Sequence, residues 1–246
     1  MKILALDTTA KAVSVAVVDF IYDDNTNYNI LGEFNLNAGS PHSRTLLPLI
    51  QNMLTALSMK PQDFDAFAVT TGPGSFTGVR IGVSAVKGIC DASGIPCIGV
   101  SSLLSLAYNL DIFHKKIRLL PCTEQFPKRS IICPVMDARC SQVYNAVFKT
   151  ENGVLTRCCY DRAVTILELK DELLTFDDEI ILVGDGAELV YNELYDSFNG
   201  KLTIAPPNLR LAKAVSVARA AKSNGEIVQG EDLLPYYLRK PQAERN

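Results

Sequence analysis

A glycine-rich stretch in the first third of the chain has the residue types of an anion-binding turn. Gly72, Gly74 and Gly78 allow backbone geometry that a Cβ would prevent, and alternating apolar residues precede them as in a buried strand. The stretch predicts a helix over residues 77–93, whose first backbone N–H groups could bind a phosphate. A tight strand-to-helix turn without a ligand is the other interpretation, since such turns commonly use glycine.

The stretch matches neither of the common nucleotide fingerprints. A Walker loop requires a lysine and then a serine or threonine after its last glycine, whereas Val79 and Arg80 follow Gly78. A dinucleotide fingerprint has the spacing G-x-G-x-x-G, whereas the glycines here follow G-x-G-x-x-x-G. The stretch alone therefore does not predict a nucleotide site, although Arg80 could add charge for a phosphate.

Two aspartates end predicted strands and could position a magnesium ion together with phosphates. Asp7 ends the first strand of the chain, and Asp137 ends a similar strand in the second half. With Thr8 and Thr9 they are weak candidates for a nucleotide site. The other interpretation is that carboxylates at strand ends accept hydrogen bonds from their own hairpin turns.

Histidine chemistry has little support in this sequence. The two histidines, His42 and His114, are far apart and no H-x-x-x-H spacing occurs, so a histidine-based metal site is not predicted. Ser40 and Ser43 are near His42, but nothing else in the sequence supports acyl transfer. We therefore predict no catalytic residue and no metal ligand in this chain.

The composition excludes several broad classes of protein. The chain has 246 residues, of which 48% are hydrophobic, and this suits one large domain or two smaller ones with full cores. A formal net charge of −3 without a long Lys/Arg cluster disfavours tight RNA binding by the chain alone. The seven cysteines contain no C-x-x-C, so neither a zinc site nor a disulfide framework is predicted. No hydrophobic run reaches membrane-span length and no cleavage-site pattern is present, so a cytoplasmic protein without a membrane partner is expected.

A faint internal repeat indicates two similar lobes. An offset of 130 residues aligns a predicted apolar hairpin, with strands over 3–7 and 13–19, with a second one whose strands span 131–137 and 143–149. The aligned identities are Asp7 with Asp137, Val13 with Val143, Ala16 with Ala146 and Val17 with Val147. This layout predicts an α/β fold with two duplicated lobes of the actin–hexokinase–Hsp70 (ASKHA) superfamily. The lobes are expected over residues 1–105 and 106–246, with the last helix, predicted over residues 210–224, and an apolar tail packing back toward the first lobe.

Two helices of the first lobe have surfaces that suit a partner. The helix predicted over residues 41–57 has an apolar stripe, and the one over 78–93 adds a stripe of small residues that permits close approach. The residues predicted for the interface are His42, Leu46, Ile50, Met53, Gly78, Gly82, Ala85 and Val86. Gly82→Leu is expected to weaken this interface and to leave the lone chain folded. Ordinary packing of both helices on the lobe's own sheet is the other interpretation.

Several motifs together resemble the TsaB (also called YeaZ) family over nearly the whole chain. The motifs are ILALDTT at 3–9, HSRTLLP at 42–48, GPGSFTGVRIG at 72–82, VSSL at 100–103, MDAR at 136–139, VY at 143–144, GDG at 184–186 and PYYLR at 235–239. The glycine-rich motif is the most specific of them. The Asp-Ala-Arg and Tyr-Leu-Arg motifs come next, and the others are weak alone.

The resemblance implies a non-catalytic scaffold subunit. Such a chain is expected to form a heterodimer with TsaD, the transferring subunit, to join TsaE in a larger complex, and to meet tRNA through that complex. The reaction would place threonylcarbamoyladenosine beside the anticodon. TsaD holds its metal through an H-x-x-x-H whose positions fall on Ser102 and Leu106 here, so ATP and metal are expected in the partners and no cofactor in this subunit. Without TsaD, the same surface would support a homodimer.

The sequence departs from the expected patterns in three places. The first phosphate motif of the superfamily has the form D-x-G-T/S, whereas Asp7-Thr8-Thr9 contains no glycine, so autonomous ATP hydrolysis is not expected. Thr9 stands where serine is usual, and residues 117–130 form an insertion. The alternative function is an autonomous small-molecule kinase or a glycoprotease of the same superfamily, which an ATP turnover assay would distinguish.

Overall fold

The chain folds into two compact units in a computed structural model. The structure describes residues 1–21, 27–37, 39, 41–116, 129–151 and 154–239, and of residues 111–116 the backbone only. Unit 1 comprises Met1–Ser105 and the described residues from Ala212 onward, and unit 2 comprises Leu106–Leu211. Each unit has its own mixed β-sheet and its own hydrophobic core.

Strands and helices alternate along the described chain. The strands are β1 (Lys2–Asp7), β2 (Val13–Phe20), β3 (Tyr28–Leu36), β4 (Ala66–Gly72), β5 (Cys97–Ser101), β6 (Arg129–Arg139), β7 (Gln142–Asn145), β8 (Phe148–Glu151), β9 (Val154–Arg157), β10 (Arg162–Thr165), β11 (Glu179–Val183), β12 (Leu202–Ile204) and β13 (Ile227–Val228). The α-helices are α1 (His42–Ala56), α2 (Phe76–Ser93), α3 (Ser102–Lys116), α4 (Ile166–Leu173), α5 (Ala187–Leu194), α6 (Pro207–Arg210) and α7 (Ala214–Asn224).

The sheet of unit 1 is buried on both faces along its central strands. Its order is β13-β5-β4-β1-β2-β3, with β1 antiparallel to β2, β2 antiparallel to β3, and β4 parallel to both β1 and β5. Every residue of β1 after Lys2 is buried. A strand with this continuous burial requires helices on both sides of the sheet.

α1 and α2 cover one face because each helix has one apolar side. Leu46, Ile50 and Met53 of α1 belong to the same buried cluster as alternate residues of β1 and β2. The valines at 79, 83 and 86 of α2 complete this cluster. Gly94 then ends α2 in the left-handed conformation (φ 73°) that glycine adopts without strain.

α7 covers the opposite face of the same sheet. The hydroxyl of Ser14, on β2, accepts a hydrogen bond from the amide of Ala214 (2.8 Å), and α7 contacts both β1 and β2. The predicted boundary of the second lobe, 106–246, is therefore corrected to Leu106–Leu211, and the expected packing of the last helix and tail toward the first lobe agrees with unit 1. The chain returns to unit 1 because α7 supplies the apolar cover that this face needs.

Unit 2 repeats the strand order of unit 1. Its order β10-β7-β6-β11-β12 corresponds to β3-β2-β1-β4-β5, and the strand directions are the same. α4 and α5 pack on this sheet through a separate buried cluster that includes Leu169 and Val190. The predicted α/β class with two duplicated lobes is confirmed.

The two hairpins differ in register by one residue. Asp7 pairs with Ser14 in unit 1, whereas Asp137 pairs with Val143 in unit 2. The second turn is tighter because residues 139–141 all have positive φ, at 66°, 55° and 55°. The constant offset of the sequence alignment therefore holds for the first strand of each hairpin and not for the second. The predicted strand over residues 143–149 is divided between β7 and β8.

Most predicted helices agree with the structure within a residue or two. The helices expected over 41–57 and 77–93 are α1 and α2, and the one expected over 210–224 is divided into α6 and α7. Residues 117–128 of the predicted insertion lie outside the described residues, as does the side chain of His114.

Candidate functional site

The carboxylate of Asp7 is buried at the end of β1 and hydrogen-bonded on both oxygens. Oδ1 accepts from the amide of Thr9 (3.0 Å), and Oδ2 accepts from the hydroxyl of Thr70 on β4 (2.8 Å). The Thr9 hydroxyl lies 3.2 and 3.1 Å from the two oxygens. Asp7 is 0% exposed. A phosphate-bound cation would have to compete with these donors, so the geometry favours the hairpin-turn interpretation.

Asp7 also makes the free energy of unfolding depend on pH. Burial raises the pKa of its carboxyl, although hydrogen bonds from Thr70 and Thr9 and the nearby His42 oppose this shift. The folded chain therefore keeps this proton at pH values where the unfolded chain has released it. Stability contributed by Asp7 then falls as the pH rises from the ordinary aspartate range through the raised folded-state pKa.

The variant Asp7→Asn removes this titration. Urea unfolding of both proteins between about pH 4 and pH 8 should show the wild type losing stability relative to Asp7→Asn as the pH rises. Two parallel pH profiles would show that the Asp7 carboxyl titrates alike in both states and would contradict the prediction.

Thr8 occupies the space that two glycines leave on α2. Its hydroxyl donates to the carbonyl oxygen of Gly78 (2.7 Å). A Cβ added at Gly78 would overlap the carbonyl oxygen of Thr8, and one at Gly82 would lie 2.5 Å from Thr8 Oγ1. This contact replaces the earlier expectation for Gly82→Leu: we expect that variant to destabilise the lone chain, because the leucine would press on the β1–β2 turn.

The turn between β4 and α2 is closed by contacts within unit 1. Ser75 caps the helix, since its Oγ accepts from the amide of Gly78 (3.2 Å), and its own amide donates to the carbonyl oxygen of Thr9 (2.7 Å). Gly72 has a φ of 124°, and a Cβ there would overlap the carbonyl oxygen of Tyr236. These contacts favour a structural turn over a phosphate site.

A C-terminal segment, residues 230–239, lies along α2, and we call it the strap. Lys87 Nζ donates to the carbonyl oxygens of Glu231 (3.0 Å) and Leu233 (3.2 Å), and Leu233 is buried in the core of unit 1. The amide of Tyr236 donates to the carbonyl oxygen of Thr71 (2.7 Å). The strap thus follows α2 from Lys87 back to the glycine turn. The sequence analysis expected the tail to pack toward the first lobe, which agrees with unit 1, but it did not identify these individual contacts.

Arg80 joins the strap to the first turns of α2. Its guanidinium carbon lies 3.8 Å from the centroid of the Phe76 ring, and its Nε donates to the hydroxyl of Tyr237 (3.0 Å). The rings of Phe76 and Tyr237 are 4.7 Å apart between centroids. The guanidinium of Arg80, which could have bound a phosphate, therefore contacts two aromatic side chains of unit 1 instead.

Most residues predicted for the partner interface belong to the core of unit 1. The buried ones are Leu46, Ile50, Met53, Gly78, Gly82 and Val86. His42 and Ala85 are half-buried, and His42 Nε2 lies 2.9 Å from the carbonyl oxygen of Ala10. The prediction that these six residues form a partner interface is therefore corrected. They lie in the core, because the apolar stripes of both helices pack on their own sheet. An interface on the outer faces of the two helices stays a prediction.

The outer face of α2 carries small side chains. Thr77, Ser84, Gly88 and Ala92 are exposed and recur at helical spacing. No described atom lies within 4 Å of a Cβ added at Gly88. Another helix could therefore approach this face closely.

An apolar groove borders this face on the side of α1. Its volume is about 550 Å³, and its lining includes Leu47, Leu54, Met59 and Ile89. Leu47 is 56% exposed. An exposed leucine beside an apolar groove offers contact area to a protein partner.

Asp137, in unit 2, keeps a partly exposed carboxylate. Its Oδ1 accepts from the amide of Arg139 (2.8 Å), and its own amide donates to Asp185 Oδ1 (3.3 Å). The side chain is 33% exposed. A joint role of Asp137 with the unit 1 candidates Asp7, Thr8 and Thr9 in a nucleotide site stays a prediction.

Metal ligands do not cluster in the described part of the chain. Across those residues, no group of three or more His, Cys, Asp and Glu side chains is placed to hold a metal ion. Among the described helices, none combines the length and the apolar character needed to cross a bilayer.

Comparisons with known proteins lead to proteins of threonylcarbamoyladenosine formation on tRNA. The family model described as TsaD, tRNA N6-adenosine threonylcarbamoyltransferase, matches residues 36–232. The tRNA threonylcarbamoyladenosine biosynthesis protein TsaB of Bacillus subtilis (strain 168) is 29% identical over 244 residues, 99% of this chain and 96% of that protein. TsaB of Escherichia coli (strain K12) is 34% identical over 155 residues, 63% of this chain and 58% of that protein. YeaZ from Pseudomonas aeruginosa shares the fold, with a TM-score of 0.71 at 24% identity over 96% of this chain and 99% of that one.

Proposed function

The chain belongs to the TsaB (YeaZ) family, and from this we propose that it is a scaffold subunit in the formation of threonylcarbamoyladenosine on tRNA. Its proposed partner is TsaD, with TsaE as a third component of a larger cytoplasmic complex. It meets tRNA through that complex, and the partners hold ATP and metal. We assign no catalytic residue to this chain.

The observation that carries the proposal is the outer face of α2 (Thr77, Ser84, Gly88 and Ala92), which we call the open face, beside the groove of α1. Small side chains at Ser84 and Gly88 allow a partner helix to approach, while Leu47 and the groove provide apolar area. Two helices from each subunit would then pack as a four-helix bundle. The interface is thus proposed for the outer faces of α1 and α2.

The site gives less support to an autonomous kinase or glycoprotease. Both Asp7 oxygens already accept hydrogen bonds from Thr9 and Thr70, and the first turn of α2 is capped by Ser75. Purified chain incubated with ATP and magnesium should release no phosphate above the buffer rate. Steady phosphate release that Asp7→Asn abolishes would overturn the proposed scaffold role.

Gly88→Leu should weaken the binding of TsaD and leave the lone chain folded. The new side chain enters the open face, where no described atom lies within 4 Å of the Cβ position, so it obstructs a partner and not the core. Calorimetry with TsaD of the same organism should show affinity reduced by at least about tenfold.

Asn192→Leu is the matched control for this variant. It places a leucine on an exposed position of α5 in unit 2, and it should bind TsaD as the wild type does. Normal binding by Gly88→Leu would place the interface elsewhere on the chain.

A further inference from the structure

The open face of α2 has a wall on each side. Ile89 of α2 lines the groove shared with α1, and Arg80 and Lys87 contact the strap on the opposite flank. On an α-helix, Ser84 and Gly88 lie between these two flanks. The strap and α1 therefore border the same surface, and between Phe76 and Lys87 this surface is about 16 Å long.

The strap exposes large side chains although its backbone is fixed. Leu234 is 68% exposed, Tyr236 is 48% and Tyr237 is 37% exposed. Two hydrogen bonds to its backbone hold this segment in place: Lys87 Nζ donates to the carbonyl oxygen of Leu233, and the amide of Tyr236 donates to that of Thr71. A segment that is already ordered loses little conformational freedom when a partner binds it.

We infer that the strap forms one wall of the TsaD site, where Leu234, Tyr236 and Tyr237 contact apolar side chains of that partner. This inference rests on the proposed function and deepens it. The small residues of α2 permit close approach but supply little contact area themselves. Tyrosine side chains next to an arginine are the residue types that contribute most binding energy at protein interfaces, and Arg80 and Phe76 already hold Tyr237 in position.

The charges around the strap favour a protein over RNA as its occupant. Glu231 and Asp232 are exposed at its start. The basic Arg80, Lys87 and Arg239 around the strap therefore do not form a uniform positive surface, and the chain has a formal net charge of −3. Binding of an RNA backbone depends on a basic surface, which these carboxylates oppose. Apolar contacts with a protein surface do not require a positive charge.

The double variant Leu234→Ala/Tyr236→Ala tests the inference. Both changes shorten exposed side chains and keep the backbone groups that fix the strap, so the melting temperature should stay close to that of the wild type. Its affinity for TsaD, measured by calorimetry, should fall at least about tenfold. The matched control Leu167→Ala/Tyr160→Ala shortens the same residue types at positions of unit 2 that are 67% and 88% exposed, and it should bind as the wild type does. Hydrogen exchange of the unmodified chain should show the amides of Leu234, Tyr236 and Tyr237 becoming protected when TsaD is added.

Three results would overturn the inference and are distinguishable. If the strap variant binds TsaD normally while Gly88→Leu does not, the proposed function stands and the strap lies outside the interface. If the unmodified chain does not bind TsaD, the proposed function fails and the inference fails with it. If the strap variant binds TsaD normally but the complex assembled with it loses affinity for tRNA in a filter-binding assay, the strap contacts RNA.

Discussion

Gly78→Ala should lower the free energy of unfolding of the lone chain by at least about 3 kcal/mol. The added methyl group would overlap the carbonyl oxygen of Thr8, which belongs to the backbone of the β1–β2 turn. That turn cannot move freely, since the hydrogen bonds of Asp7 to Thr9 and Thr70 join it to β4. Relief of the overlap therefore requires α2 to shift away from the sheet. Urea denaturation at constant pH measures the difference.

Gly88→Ala is the matched control on the same helix and should have the opposite sign. Gly88 is exposed, and no described atom lies within 4 Å of its Cβ position, so alanine adds helix propensity without a clash. A stability gain of roughly 0.5–1 kcal/mol is expected. Similar effects of the two variants would show that the contact between α2 and Thr8 is not tight.

Gly72→Ala should lower stability by about 2 kcal/mol or more and release the strap. Alanine at a φ of 124° is strained, and its methyl group would overlap the carbonyl oxygen of Tyr236. The hydrogen bond from the Tyr236 amide to Thr71 should break as the strap moves away. Hydrogen exchange should therefore become faster at residues 234–238, while the amides of β1 stay protected.

Two controls separate backbone strain from the contact with the strap. Gly94→Ala places alanine at a φ of 73° where no described atom is within 4 Å, so it should cost only about 1 kcal/mol. In a chain truncated after Pro235, Gly72→Ala should lose the part of its effect that comes from Tyr236. An unchanged effect in the truncated chain would assign the whole loss to backbone strain.

The strands and helices could be predicted because their patterns are local. Continuous apolar runs identified β1, β2 and β6, alternation identified the end of β4, and Ser75 before the helix with Gly94 after it marks the two ends of α2. The duplicated layout followed from an aspartate at the end of the first strand of each hairpin. Each strand, helix and hairpin has its own local signal, and only the comparison of the two hairpins spans the 130-residue offset.

The partner interface could not be predicted residue by residue for a physical reason. An apolar stripe such as Leu46, Ile50 and Met53 has the same sequence pattern whether it packs on its own sheet or on another protein. The glycines of α2 were equally ambiguous, since close approach by Thr8 and by a partner helix both require a missing Cβ. Only the three-dimensional neighbours of Gly82 and Gly88 show which glycine faces the core.

The packing of the tail toward the first lobe was expected, but the individual contacts of the strap could not be predicted because they join distant parts of the sequence. Gly72 is needed where the carbonyl oxygen of Tyr236 approaches, and no local pattern relates these two residues. The same holds for the hydrogen bond between Arg80 and Tyr237. Contacts of this length leave a sequence signal only in the apolar character of residues 233–238.

The contribution of both ends of the chain to unit 1 has a consequence for its biosynthesis. A ribosome produces β1 to β5 first, then all of unit 2, and only afterwards α7 and the strap. Until residues 212–239 emerge, the face of β2 that carries Ser14 lacks its helix and α2 lacks the flank formed by Leu233 and Tyr237. Unit 2 can therefore fold during translation, whereas unit 1 must wait, because its long-range contacts close last. A polypeptide released early would lack the strap, which is one wall of the proposed TsaD site. The order of synthesis therefore favours full-length chains in the assembly with TsaD.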